Sequence, residues 1–321
     1  MPSYMVQSDL GEGITNEYMV EDQAISTTTP LFSIVIAAYN DWAALDQCLR
    51  SISQEMSGPS FEVIVVDDGS NQAAPDVIRQ WARSLSLNIV RQSHTGISAA
   101  RNRGIQISKG SILLFVDADC RVQKSCLLAL AETIAGSSQH NCFQLRLIGD
   151  SSKFVGRAED LRLKSLQSHL LQSDGRIRYL NTAGFAIRRT SVNIEEGLFD
   201  PLALRAEDTL LLANLMESGE LPLFVANATV QHAIGLSIAG CLLKDVRSAL
   251  LEGRTYDVIA EKPVKIRVTH RERLSVLAAM WTIAGQRSIG RSAWFVLVGR
   301  QTLQRIVSFC RACLRTPLRK L

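Results

Sequence analysis

No run of 18 or more apolar residues occurs in the sequence, so no segment has the length of an apolar membrane-spanning helix. The first thirty residues also lack a basic start followed by an apolar stretch. No secretory leader is visible, and residues 1–30 are expected to form a mobile tail or short extension. Cysteine is scarce and unframed. Its seven positions (48, 120, 126, 142, 241, 310 and 313) are odd in number and scattered, which suits a reducing, cytoplasmic compartment. Cys310 and Cys313 make one CxxC, but no second pair completes a zinc site, so they read as two positions on a helix. No basic–aromatic motif of a nucleic-acid reader is visible, which argues against such a partner.

The rest of the composition is globular, 46% apolar and 21% charged, and 321 residues suffice for one large α/β domain or two smaller ones. The net charge of +4 conceals an asymmetry. Residues 244–321 carry 16 basic and 5 acidic side chains, a balance of +11, whereas the preceding 243 carry 19 and 26, a balance of −7. Such a tail points towards something anionic.

Apolar runs alternate with helical patterns along the first part of the chain. LFSIVIAAYN (31–40), FEVIVVDDGS (61–70), Leu87–Val90 and SILLFVDADC (111–120) read as strands. Between them, 42–56, 75–86 and 98–110 read as helices, the last closed by Gly110. Continuous apolar strands separated by helices predict a mostly parallel sheet covered on both faces. In such sheets ligands bind beyond the carboxyl ends of the strands. Asp67, Asp68, Asp117 and Asp119 all fall there. Strand alternation would put Asp117 and Asp119 on one side, where two carboxylates suit Mg²⁺ or Mn²⁺ and leave places for phosphate oxygens. The plain alternative is that each aspartate opens a turn or caps a helix.

IVIAAYN, EVIVVDDGS, HTGISAARNRG and LLFVDADC together resemble the family-2 glycosyltransferases of the GT-A fold, almost continuously over about 31–121. The resemblance continues more loosely through NTAGFAIRR (181–189), residues 195–219 and His232. It implies a GT-A domain over 31–236, with a nucleotide-binding half (31–125) and an acceptor half (126–236), followed by a basic, amphipathic helical extension over 237–321. It further implies that Ala37, Tyr39 and Asp68 hold base and ribose, that Asp117 faces the ribose, and that Asp119 ligates the metal. Asp68 could accept the N3–H of uracil, which leans the donor towards a UDP-sugar. Glu207–Asp208 resembles the family's ED pair, whose aspartate is the base. A sugar hydroxyl is a poor nucleophile, so a carboxylate must take its proton. The same two acids also suit the start of a helix. Asp67, Gly184 and His232 are secondary candidates, Gly184 for close backbone approach or for conformation alone. Arg101 adds charge near the nucleotide or is a solvated helix arginine.

These features predict a metal-dependent, inverting, hexosyltransferase-like enzyme acting on a glycan or lipid-linked acceptor. The QxxRW signature of processive synthases is absent, so one sugar is expected per encounter. An inactive nucleotide-sugar-binding module and a DxD phosphatase are the alternatives. In residues 293–320, Arg300, Gln304, Ser308, Arg311 and Arg315 share one helical stripe and Phe295, Leu303, Ile306, Val307, Cys310 and Leu314 another. With Trp281 upstream and Trp294 within this segment, two readings are open: helices lying on the anionic cytoplasmic face of a membrane, or a flap packed on the catalytic domain or on a second copy.

Overall fold

The apolar runs Phe32–Ala38, Phe61–Asp67 and Ile112–Phe115 bury nearly every side chain, because both faces of the sheet they build are covered. The computed structural model of the chain describes residues 17–18, 29–150, 152–233, 237–264, 266, 270–285 and 291–315. Among them the strands are β1 (Glu17–Tyr18), β2 (Phe32–Ala38), β3 (Phe61–Asp67), β4 (Leu87–Arg91), β5 (Ile112–Phe115), β6 (Cys120–Val122), β7 (Cys142–Gly149), β8 (Phe185–Arg188) and β9 (Leu223–His232). They form one sheet in the order β1-β4-β3-β2-β5-β8-β7-β9-β6. The run β4-β3-β2-β5 is parallel, as expected. Beyond β5 the sheet is mixed: β8 is antiparallel to both β5 and β7, β9 runs parallel to β7, and β6 is antiparallel to β9.

The helices are α1 (Trp42–Ser53), α2 (Asp76–Arg79), α3 (Ile97–Ile107), α4 (Cys126–Ala135), α5 (Phe154–Leu170), α6 (Glu207–Glu217), α7 (Ile238–Leu251), α8 (Gly253–Glu261), α9 (His270–Gly285) and α10 (Ser292–Arg315). Several expectations change. The helix expected over 75–86 is the single turn α2 followed by a 3-10 turn, since Ile78 is their one buried residue and anchors too little apolar surface for more. Helix α3 stops at Ile107 rather than at Gly110. Gly110 instead serves close passage under β2, where a Cβ would lie 2.5 Å from the Ser33 nitrogen. Glu17–Tyr18 pairs with β4, so this part of the expected tail is an edge strand. Most of the rest of 1–30 lies outside the described residues.

The C-terminal helices had two readings. Helix α10 packs on α5, α7 and α9, so the extension lies against the sheet-bearing domain as the flap reading required. Its basic stripe faces protein. Arg300 donates to both oxygens of Asp245 at 2.7 and 3.0 Å, Gln304 and Ser308 reach Glu252, and Arg311 lies over Gly253. Trp281 and Trp294 pack edge to face, 5.1 Å between centroids, and the Trp294 indole donates to the Leu277 carbonyl. They join α9 to α10 instead of standing out as anchors. The side of α10 that faces outward exposes Phe295, Ile306 and Phe309, with Thr302 and Arg305 among them. Cys310 and Cys313 are free thiols on the exposed surface of the same helix. The side chains of Leu314 and Arg315 lie outside the described residues. No helix among the described residues is long and apolar enough to cross a membrane.

Candidate active site

At the end of β3, Asp67 and Asp68 are both buried and both committed to backbone. Asp67 accepts from the Ser70 amide at 2.9 Å. One oxygen of Asp68 accepts from Gln92 Nε2 (2.8 Å) and the Thr95 amide (2.9 Å), and the other from the Gly96 amide (2.9 Å). His94 Nδ1 stands 2.9 Å from the same carboxylate, and its ring stacks on Tyr39 with centroids 4.2 Å apart. Asp68 thus holds the His-Thr-Gly turn (94–96) in place, and Tyr39 stands half-exposed above it as a flat surface for a planar ligand. Asn40, at φ 56°, turns the chain after β2, and its amide donates to Ser70 Oγ at 2.8 Å, tying the two strand ends together. Ala37 is half-buried at the end of β2.

The second acidic pair is arranged differently from the strand alternation expected of it. Strand β5 ends at Phe115, and Asp117–Asp119 form a turn closed by the Cys120 amide donating to the Asp117 carbonyl at 2.9 Å. The two carboxylates therefore have different partners. Asp117 Oδ1 accepts from Arg101 Nη2 at 2.7 Å, and Asp119 Oδ2 lies 3.2 Å from His232 Nε2. His232 arrives through the β6–β9 pairing, which sets it opposite Cys120. Burial pushes the Asp119 carboxyl up, but the His232 hydrogen bond, the His232 charge and then Lys244 outweigh it and hold it below its ordinary value. Burial lowers the His232 imidazole, and Asp119 more than offsets that.

Arg101 is not a solvated helix arginine. It is buried, with 2% of its side chain exposed, and its second arm, Nη1, donates to Glu207 Oε1 at 2.8 Å. The ring of Phe199 lies under the guanidinium at 5.4 Å. The rest of the Arg-Asn-Arg-Gly segment explains why the arm is so well placed. Asn102 holds the 197–199 loop through the Leu198 and Phe199 amides and the Phe199 carbonyl, and Gly104 lets α3 rest on Val35, where a Cβ would lie 2.3 Å from Cγ1.

Glu207 and Asp208 do open α6, so the helix-start reading holds as local structure. Ala206 before them has φ 60°, a conformation costing a non-glycine residue about 1 kcal/mol, which aims the first turn at the cleft. Asp208 accepts from the Thr209 amide at 2.7 Å. Burial first, and then the neighbouring Glu207, push its carboxyl up to about 7. Asp208, Glu207, Arg101, Asp117 and His232 line one cavity of ≈ 1020 Å³, which α7, α9 and α10 wall on the far side. Ala37, Tyr39, Asp67 and Asp68 lie outside its lining, around the strand ends. Gly184 is also outside: a Cβ there would lie 2.8 Å from Leu147 Cδ2 and 3.3 Å from Leu145 Cβ, so its close approach is to β7 and its conformation is a packing matter. His94, Glu159, Arg162, Tyr179 and Lys244 were not singled out from sequence. His94 alone carried a signal, as the first residue of the His-Thr-Gly segment.

The donor set fits a divalent ion. Asp119, His232 and Cys120 offer ligand atoms within 4.8 Å of one another, and the first two are partly exposed; His232 lines the cavity, whereas Asp119 lies outside its lining. Burial, then Asp119 and Asp117, raise the Cys120 thiol well above its ordinary value, whereas Asp119 and His232 supply an oxygen and a nitrogen of the kind a hard divalent ion takes.

A mixed sheet with a parallel nucleotide-binding half, its acids gathered beyond the strand ends, is the architecture of a GT-A glycosyltransferase. The family model for glycosyl transferase family 2 matches residues 33–197, just over half of the sequence, and the chain belongs to that family. Glycosyltransferase AglE of Haloferax volcanii is 34% identical over 134 residues, 41% of this chain and 42% of that protein. A PGL/p-HBAD biosynthesis glycosyltransferase of Mycobacterium bovis is 33% identical over 112 residues, 34% of this chain and 43% of that protein. The match thus spans less than half the length of these relatives. Two solved structures share the fold at 16% identity. They are S. aureus TarS 1–349 in complex with UDP-GlcNAc (TM-score 0.52; 86% of this chain, 90% of that one) and the mannosyltransferase PcManGT from Pyrobaculum calidifontis in complex with GDP-Man and Mn²⁺ (TM-score 0.56; 89% and 85%).

Proposed function

We infer that this chain transfers one sugar from a nucleoside-diphosphate sugar to a hydroxyl of a glycan or lipid-linked acceptor, with inversion and with a divalent metal. The observation that carries this reading is the Arg101 bridge, which ties Asp117 of the donor-side turn to Glu207 beside Asp208. In this mechanism Asp208 takes the proton of the acceptor hydroxyl as its oxygen bonds to the anomeric carbon from the face opposite the diphosphate. The bond from that carbon to the diphosphate oxygen breaks with its electron pair, and the configuration inverts. Asp119 and His232 would hold the metal, Mn²⁺ or Mg²⁺, which when bound neutralises charge on the leaving diphosphate. Tyr39 and His94 form the platform for the base, and Asp68 acts by holding that platform. The two structural neighbours, one with UDP-GlcNAc and one with GDP-Man and Mn²⁺, support a nucleotide-sugar donor and a metal. A UDP-sugar is the first donor to test and a GDP-sugar its competitor.

A phosphatase would need Asp117 as nucleophile, but that carboxylate is tied to Arg101. The decisive experiment is a panel of nucleotide-sugars assayed for transfer and hydrolysis with and without Mn²⁺. Asp119→Ala is expected to abolish metal-dependent donor binding, read by calorimetry as loss of the difference between titrations with Mn²⁺ and with chelator. Equal donor affinity in variant and wild type would remove Asp119 from the metal site.

Membrane attachment at the cytoplasmic face belongs to the same reading, but on a different footing from the basic stripe. The outward side of α10 would carry it, with Phe295 and Phe309 entering the lipid boundary. Wild type is expected to sediment with liposomes and the double variant Phe295→Ser/Phe309→Ser to remain in solution. Failure of wild type to pellet with either anionic or neutral vesicles would end this part of the reading.

A further inference from the structure

The cavity is elongated, and its two ends differ. Helix α10 lines it with Leu297, Arg300, Gln304, Ser308 and Phe309, a stripe that at 1.5 Å per residue runs about 18 Å. Leu297 is buried, whereas Phe309 is 70% exposed, so the cavity opens outward at the Phe309 end. The closed end is the catalytic one. Strand β9 ends at His232, α7 starts soon after at Ile238, and Asp245 in the early turns of α7 meets Arg300. Further along the same two helices, away from His232, Glu252 meets Gln304 and Ser308.

Most cations towards the closed end are paired: Arg101 with Asp117 and Glu207, Arg162 with Glu159, and Arg300 with Asp245. Lys244 and Arg205 have no such partner, but they belong to that end too, one beside Asp245 and the other just before the turn into α6. Two further arginines without an acidic partner stand at the mouth, on either side of Ser308. Arg305 lies one turn before Phe309 on the same side of α10, is exposed, and makes no hydrogen bond or ion pair among the described residues. Arg311 lies over Gly253 and donates to the Leu250 carbonyl at 3.5 Å, while its Nε is buried without an acceptor. A buried donor left in that state is uncommon and asks for an acceptor. Glu252, at the same level, spends its two oxygens on Gln304 and Ser308 rather than on either arginine.

Two guanidinium groups beside an exposed aromatic ring suit a phosphate that carries a hydrocarbon chain. The planar forks match phosphate oxygens, and the ring covers the first methylenes. We propose that the acceptor is a sugar linked to a lipid phosphate: Arg305 and Arg311 hold the phosphate at the mouth, the chain leaves over Phe309, and the sugar reaches inward to Asp208. This rests on the glycosyltransferase reading of the Asp208 end, and it narrows the acceptor from a glycan or lipid-linked hydroxyl to one class. It also gives the C-terminal helices a task in acceptor choice, since both arginines lie beyond the family-matched residues.

The test uses the full chain and titration calorimetry with octyl phosphate below its micelle concentration, in chelator so that no metal bridges the phosphate. Octyl glucoside and inorganic phosphate serve as its two halves. Octyl phosphate is expected to bind about tenfold or more tightly than either, the gain of charge-assisted contacts joined to an apolar one. Arg305→Glu, at an exposed position, should remove the preference for octyl phosphate over octyl glucoside, and Arg311→Gln should weaken octyl phosphate by about tenfold. Arg247→Glu, on the exposed surface of α7 and outside the cavity lining, should behave as wild type. Loading the protein first with UDP and Mn²⁺ should leave the affinity for octyl phosphate unchanged. Equal affinity for octyl phosphate and octyl glucoside, or no effect of Arg305→Glu, would overturn the proposal, while UDP binding in the same sample would leave the nucleotide-sugar reading intact. Displacement of octyl phosphate by UDP would also overturn it, because the phosphate would then sit at the donor end. Inorganic phosphate bound as tightly as octyl phosphate would overturn the lipid assignment. A wild type that binds neither UDP nor octyl phosphate would overturn both readings.

Discussion

Asp208→Asn is expected to lower kcat by about 10³-fold, within the range found when a general base is removed, while donor and metal binding persist. The amide keeps the size of the side chain and the hydrogen bond from Thr209 but has no basic oxygen pair to take a proton. The pH profile gives an independent readout. With its carboxyl raised to about 7, Asp208 is mostly protonated below that value and unable to act as a base. Wild-type turnover should therefore fall about tenfold per pH unit on the acid side of 7 and level off above it, and the limb should vanish in the variant. Stability should move the opposite way. A carboxyl raised in the folded state binds a proton there that the unfolded chain, titrating near 4, has lost. Its contribution to stability thus falls as pH rises from about 4 to 7, and above 7 it is a net cost. Removing the charge should then make Asp208→Asn more thermostable than wild type at pH 8. An active variant, or one that melts lower at pH 8, would take the base role from Asp208.

The fold was legible in the sequence wherever one residue type had one physical use. Continuous apolar runs announced β2, β3 and β5, and the acids after β3 and β5 marked the ligand end of the sheet. The Asp117–Asp119 geometry was not legible, because strand alternation applies only while the strand lasts and β5 ends two residues before Asp117. Arg101 was a candidate for charge near the nucleotide, but its burial was not legible, for a related reason. A helix arginine is solvated by default, and its burial depends on Asp117 and Glu207, the latter 106 residues away along the chain. The α10 stripe was legible as a pattern, but which surface it faces was left open between membrane and protein. Its acidic partners, Asp245 and Glu252, sit on a different helix, and amphipathicity alone does not say which face finds protein.

The bridge at Arg101 is where fold and chemistry meet, and its removal should be felt in both. Arg101→Met leaves Asp117 and Glu207 without their common counter-charge, beside Asp208, which is already raised by burial and by Glu207. Breaking a buried pair from one side costs about 3–5 kcal/mol, because the abandoned charge stays behind. Asp117 retains 30% side-chain exposure and Glu207 11%, so solvent relieves part of this and a loss near the lower end is expected. Lysine does not substitute well, since one ammonium cannot present two diverging donors as a guanidinium does; Arg101→Lys should recover some stability but little turnover. The charge origin can be separated from lost packing on Phe199 by the double variant Arg101→Met/Glu207→Gln, which removes one orphaned acid and should melt higher than Arg101→Met alone. Denaturant titrations of the three variants decide this. If Arg101→Met unfolds at the wild-type midpoint, the two carboxylates do not need their bridge, and the coupling of donor side to base must be sought elsewhere. If it is destabilised but Glu207→Gln brings no recovery, the loss lies in packing, and Arg101 is a core residue with a charge at its tip.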